Sequence, residues 1–154
     1  MNYELFMRAA LTEAAIGSRA GERPDGAVAV LDEALVARGH EQVITSGDPT
    51  AHAVIVVIRE AARKLGPASL GGLVVFSIME PCAMCVGALL ESDAGGVVFA
   101  LPDPRSGAAG SAVQLASGDL LPRRLAVVSG ILQEDAEEMC GTPVGAARSG
   151  FSGR

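Results

Sequence analysis

Residues 70–101 read LGGLVVFSIMEPCAMCVGALLESDAGGVVFAL, and this stretch decides the fold. Residues 73–78 form a short, continuous apolar run, the pattern of a strand buried on both faces. Pro81 ends it and suits the opening of a helix that runs to about Ser92. Residues 96–101 then repeat the buried-strand pattern. Strand, helix, strand in that order is the βαβ unit of a parallel sheet. Ligands of such sheets gather beyond the strands' carboxyl ends, where Pro81, Cys82 and Asp103 are expected.

Upstream, Gly66-Pro67 closes an earlier helix that begins after Asp48-Pro49-Thr50 and carries Val54, Ile55, Ile58, Ala61 and Ala62 on its apolar side. Residues 27–31 and 35–43 read as two strands joined in a hairpin at Asp32-Glu33. Asn2 caps a first helix whose apolar face is expected at Leu5, Ala9, Thr12 and Ile16. Downstream, a short helix is expected over 113–120, a last strand over 125–129 and a closing helix over 131–139. The fold class is therefore α/β, with three layers: a mixed five-stranded sheet, its first two strands a hairpin and the rest parallel, and helices on both faces. Residues 1–140 make one domain, and the Gly- and Ser-rich residues 141–154 read as a flexible tail.

Two helix starts bring chemistry together. His52 falls in the first turn of one helix, and Cys82 and Cys85 stand at i and i+3 on one face of the next. One imidazole and two thiolates are a three-ligand zinc set whose fourth position stays open to water, the inventory of a catalytic metal site. The positive ends of both helices favour the thiolate forms. A C-x-x-C alone is equally consistent with two small core residues; the histidine tips the balance. Cys140 reads as an idle thiol and His40 as a rim residue. Gly71-Gly72 precedes a strand instead of opening a helix, which excludes a phosphate loop there.

His52-Ala53-Val54 and Pro81-Cys82-Ala83-Met84-Cys85 resemble the H-x-E and P-C-x-x-C signature of the zinc-dependent cytidine/deoxycytidylate-type deaminases, with Val54 where that family has glutamate. The similarity covers about residues 2–140 and is closest to bacterial tRNA adenosine deaminases and guanine deaminases. Pro24-Asp25-Gly26-Ala27-Val28, Asp48-Pro49-Thr50-Ala51-His52, Val97-Val98-Phe99 and residues 103–111 carry it. The resemblance implies a cytidine-deaminase-like fold, a Zn²⁺ cofactor and hydrolytic deamination: zinc-activated water attacks an amino-bearing ring carbon and ammonia leaves. In the family the glutamate moves the protons, which valine cannot do. The resemblance also places Val28, Glu41, Ala53, Pro81 and Asp103 around the substrate, with Asp103 near a sugar, although an Asp before Pro equally starts a turn. Glu41 stands where the tRNA-editing branch has a base-binding asparagine, and Asp25 where it has an apolar residue. Glu41 and Asp25 are thus the candidate replacement acid/base. A Glu41 that binds substrate instead would suit adjacent N–H donors, as on a guanine-like base or an aminotriazine.

The other class is a zinc-bearing but inactive binding or partner subunit. The non-catalytic subunit of the eukaryotic tRNA deaminase heterodimer, which carries valine at this place, is similar. A valine introduced to disable a deaminase is a third case.

Charge and composition bear on partners. A formal net charge of −6, with Lys64 the one lysine, argues against nucleic acid as the ligand and favours a small base or nucleoside. Three cysteines, two assigned to metal, make no disulfide framework and suit a reducing cytoplasm. Charges interrupt the first helix, so neither a leader nor a membrane span is expected. A homodimer is what the resemblance implies.

Overall fold

The computed structural model describes residues 1–141; the expected tail falls almost wholly outside the described residues. In chain order the elements are α1 (Tyr3–Arg19), β1 (Gly26–Leu31), β2 (Ala34–His40), the single turn α2 (Val43–Ser46), α3 (Ala53–Leu65), β3 (Val74–Met79), α4 (Ala83–Glu91), β4 (Gly96–Leu101), β5 (Ala126–Ser129) and α5 (Gln133–Cys140). The sheet order is β2-β1-β3-β4-β5. β1 runs antiparallel to both β2 and β3, while β3, β4 and β5 are parallel, as the βαβ pattern requires.

Alternation along the strands builds two apolar layers. Ala27, Ala29, Val75, Val97 and Phe99 pack with Val54, Val57, Ala61, Cys85, Val86 and Leu89 of α3 and α4. Val28, Val30, Phe76, Ile78, Val98 and Ala100 face the other way, against Phe6, Met7, Ala10, Leu11 and Ala14 of α1 and Ala136 of α5. With aromatics at 3 % of the chain, small side chains let the layers close up. At Gly26, for instance, a Cβ would collide with the backbone of Ala10 and Ala14 in α1.

Three expected elements are corrected. α1 is rotated about one residue from the expected face: Leu5 and Ile16 are exposed, at 58 % and 42 %, while Phe6, Met7, Ala10, Leu11 and Ala14 are buried. The helix is apolar on more than one side, so spacing alone did not fix its phase. The second strand stops at His40 instead of Val43. The Glu22 carboxylate accepts hydrogen bonds from the Ile44 and Thr45 amides, at 3.0 and 2.6 Å, and draws residues 43–46 into a helical turn. No helix forms over 113–120; that segment is tied by Leu115 N donating to Ala108 O and Leu125 N donating to Ala116 O. No helix among the described residues is long and apolar enough to cross a membrane.

Candidate active site

β3 and β4 end side by side at Met79 and Leu101, and the site is built just beyond them. Cys82 is the N-cap of α4 and His52 the N-cap of α3, both with extended backbone, and neither side chain caps its own helix. An N-cap side chain usually bonds an amide of the first turn. Here both side chains turn to each other instead: His52 Nδ1 lies 3.7 Å from Cys82 Sγ and 3.6 Å from Cys85 Sγ.

All three donor atoms lie within 4.8 Å of one another. Tetrahedral zinc, with bonds of roughly 2.3 Å to sulfur and 2.0 Å to nitrogen, holds such atoms about 3.6 Å apart. The donor set and its spacing therefore fit zinc. The Cys85 thiol and the imidazole beside it, working against burial, hold the Cys82 thiol down to about 3, so it stands as thiolate. Burial and the nearby Asp25 charge push Cys140, by contrast, up to about 11. That thiol reaches Pro24 O at 3.9 Å and takes no part in the triad.

Three acidic residues surround the end of β3. Glu41, 0 % exposed, pairs through Oε1 with the buried Arg23 guanidinium, while its Oε2 is buried with no hydrogen-bond partner. Burial pushes the Glu41 carboxyl above its usual range; Arg23 opposes this, Asp25 reinforces it, and the His52 charge is close enough to be felt. Asp25 Oδ1 accepts from Met79 N at 3.1 Å, which commits that oxygen to the backbone. Glu80, which the sequence reading passed over, is 0 % exposed and collects donors from the loop after β4. The unbroken apolar run before it and Pro81 after it were the only local signals at Glu80.

The remaining expected substrate residues divide. Ala53 and Pro81 are buried next to the metal ligands in the chain. Asp103 is buried, and its Oδ1 accepts from Arg105 N and Ser106 N, so this oxygen starts the turn. Val28 lies in the α1-side layer, because Ala27 and Ala29 take the positions facing α3. Val54 is 3 % exposed in the α3-side core.

The zinc-binding region of cytidine and deoxycytidylate deaminases matches residues 1–101. This chain belongs to that family. Among its relatives, a tRNA-specific adenosine deaminase of Bacillus subtilis is 38 % identical over 136 residues, covering 88 % of this chain and 84 % of that one. A guanine deaminase of the same organism is 43 % identical over 101 residues, 65 % of each chain. A solved structure from a study of A-to-I editing by tRNA:A34 deaminases superposes with a TM-score of 0.83 at 35 % identity, covering 87 % of this chain and 97 % of that one. In this member of the family, His52, Cys82 and Cys85 stand close enough together to hold a metal ion.

Proposed function

We propose that this chain is a hydrolytic deaminase of a small amino-heterocycle, free base or nucleoside, in which Glu41 carries the protons. His52, Cys82 and Cys85 would hold a zinc ion, which when bound would supply the Lewis acidity that activates water. The chain's own residues must then take a proton and hand it to the leaving nitrogen. The observation that carries the proposal is the Glu41 carboxyl: it is fully buried, raised above the ordinary carboxylate range, and holds one oxygen without a partner. A carboxyl whose pKa is raised holds its proton more readily than an exposed one, which suits a group that must both take and release a proton. Asp25 supports Glu41 rather than replacing it: its Oδ1 serves the Met79 amide and its charge helps to raise the Glu41 carboxyl. The net charge of −6 supports a small substrate over tRNA, although the relatives named above include enzymes of both kinds.

The test is ammonia release from a panel of purines, pyrimidines, aminotriazines and their nucleosides, with a tRNA anticodon stem as the competing substrate. Glu41→Gln is expected to abolish turnover while zinc content stays at the native level; undiminished activity in that variant rejects the role of Glu41. A second reading, an inactive zinc-bearing partner subunit, draws on Val54 lying in the apolar core and on Arg23 already engaging Glu41. Enzyme-like turnover by the purified protein rejects it. Assembly as a homodimer and a cytoplasmic location accompany the first reading and are checked by sedimentation and by cell fractionation.

A further inference from the structure

We propose that Glu80 is a positioning residue for the metal centre: its buried carboxylate gathers the 103–111 loop against Pro81 and Cys82 and so sets how the Cys82 sulfur is presented. Glu80 lies one residue past the end of β3 and two before the metal ligand. Its Oε1 accepts from Asp103 N at 3.0 Å and from the Ser111 hydroxyl; its Oε2 accepts from Ala109 N at 3.0 Å and Ser111 N at 3.1 Å. A carboxylate lifted out of water survives only where donors replace the lost hydration, and here the loop supplies them.

The loop so gathered grips the metal-ligand segment. Ala108 N donates to Pro81 O at 2.8 Å, and Gly107 pairs with Cys82 in an isolated antiparallel bridge. Gly107 sits so close to the Glu80 carboxylate that a Cβ there would collide with Cδ and Oε2. On the other side, Glu80 N donates to Leu101 O at 2.9 Å and Met79 N to Asp25 at 3.1 Å, so the approach to Cys82 is pinned from both flanks. Cys82 has one rotatable bond between its Cα and its sulfur, and the direction of that sulfur follows from the backbone that carries it. Weakening the loop's hold on Pro81-Cys82 therefore changes the metal ligand itself. The inference stands on the metal triad and is independent of which reaction, if any, the site performs.

The test compares native protein with Glu80→Gln and Ser111→Ala. Zinc affinity is measured by competition with a chromophoric chelator, and cobalt(II) is substituted so that thiolate-to-metal absorption reports the Cys82 bond. Glu80→Gln is expected to weaken zinc binding about 10- to 100-fold, the range seen when groups that orient metal ligands are removed, and to shift the cobalt charge-transfer band. Ser111→Ala, which keeps the carboxylate and removes one donor, should move both readouts the same way by less. Ser111 is exposed, so its variant folds and decides the matter even where Glu80→Gln does not. Native affinity and a native cobalt spectrum in the folded variants, with only a lower melting temperature, would overturn the proposal in favour of a purely structural role.

Discussion

If Glu41 has taken over proton transfer, position 54 and position 41 should be interchangeable, and a double-mutant cycle reads this directly. Glu41→Gln removes a carboxylate that is fully buried against Arg23. Glutamine keeps an acceptor for the guanidinium and sheds the burial cost of the charge, so the stability loss stays below that of one charge-assisted hydrogen bond, about 2 kcal/mol. For a chain of this size the melting temperature falls by less than about 4–8 °C, which leaves a folded protein to assay. Loss of the acid/base costs about 10²- to 10⁴-fold in kcat, or about 3–5 kcal/mol of transition-state stabilisation. Val54→Glu puts a carboxylate in the first turn of α3, one residue beyond Ala53, at a site now 3 % exposed. It gives up part of a buried valine, worth about 1.5–3 kcal/mol. The helix N-terminus returns about 0.3–1 kcal/mol of this to a negative charge. In the Glu41→Gln background Val54→Glu should restore most of the lost rate; in the native background it should add less than about tenfold, since one carrier is already present. Ammonia release under saturating substrate, with zinc content measured on every variant, is the assay. The reasoning is refuted if Val54→Glu alone raises the rate a hundredfold or more while Glu41→Gln changes nothing, for then Glu41 never carried the proton.

Other outcomes follow from the same geometry. The metal-free protein treated with iodoacetamide at pH 6 should be alkylated at Cys82, a thiolate there, and spared at Cys140, whose thiol is pushed up to about 11; peptide mass spectrometry checks this, and equal labelling contradicts it. Because the Glu41 pKa is raised on folding, its protonated form stabilises the fold below the usual carboxylate range, and that contribution is lost as pH rises through the folded value. The melting temperature of native protein relative to Glu41→Gln should therefore fall as pH is raised from about 4.5, and a rising difference would reverse the sign. Gly26→Ala drives a methyl group into the backbone of α1 and should cost about 3 kcal/mol or more, seen as a loss of about 6–12 °C in melting temperature or of soluble protein.

What could be seen in the sequence was what local pattern specifies. β3 and β4 are uninterrupted apolar runs, and α3 and α4 begin after proline-marked breaks, so both ligand segments and the βαβ unit were readable from residues 48–101. The metal triad followed from residue type and spacing, and the structure brings His52, Cys82 and Cys85 together. Features set by distant partners were not readable. The phase of α1 depends on which of several apolar stripes meets the sheet, and Val43 leaves the strand because Glu22, twenty-one residues earlier, captures the amides beside it. Nothing around Glu80 announces that its acceptors will be filled by Asp103, Ala109 and Ser111, and the Arg23–Glu41 pair joins two loops with no shared motif. The side of β1 that Val28 faces was fixed by strand alternation once the α3 side was known, which the motif alone did not reveal.

Because His52 and Cys82 occupy the residues at which α3 and α4 begin, the ion is clasped at two thresholds while Val54 belongs to the interior behind one of them. On the proposed reading, anchorage lies at these two helix starts and proton transfer at Glu41, just past the end of β2. A lineage can exchange the proton carrier, or discard it, and still inherit an undamaged metal cradle on which a different chemistry can later be assembled.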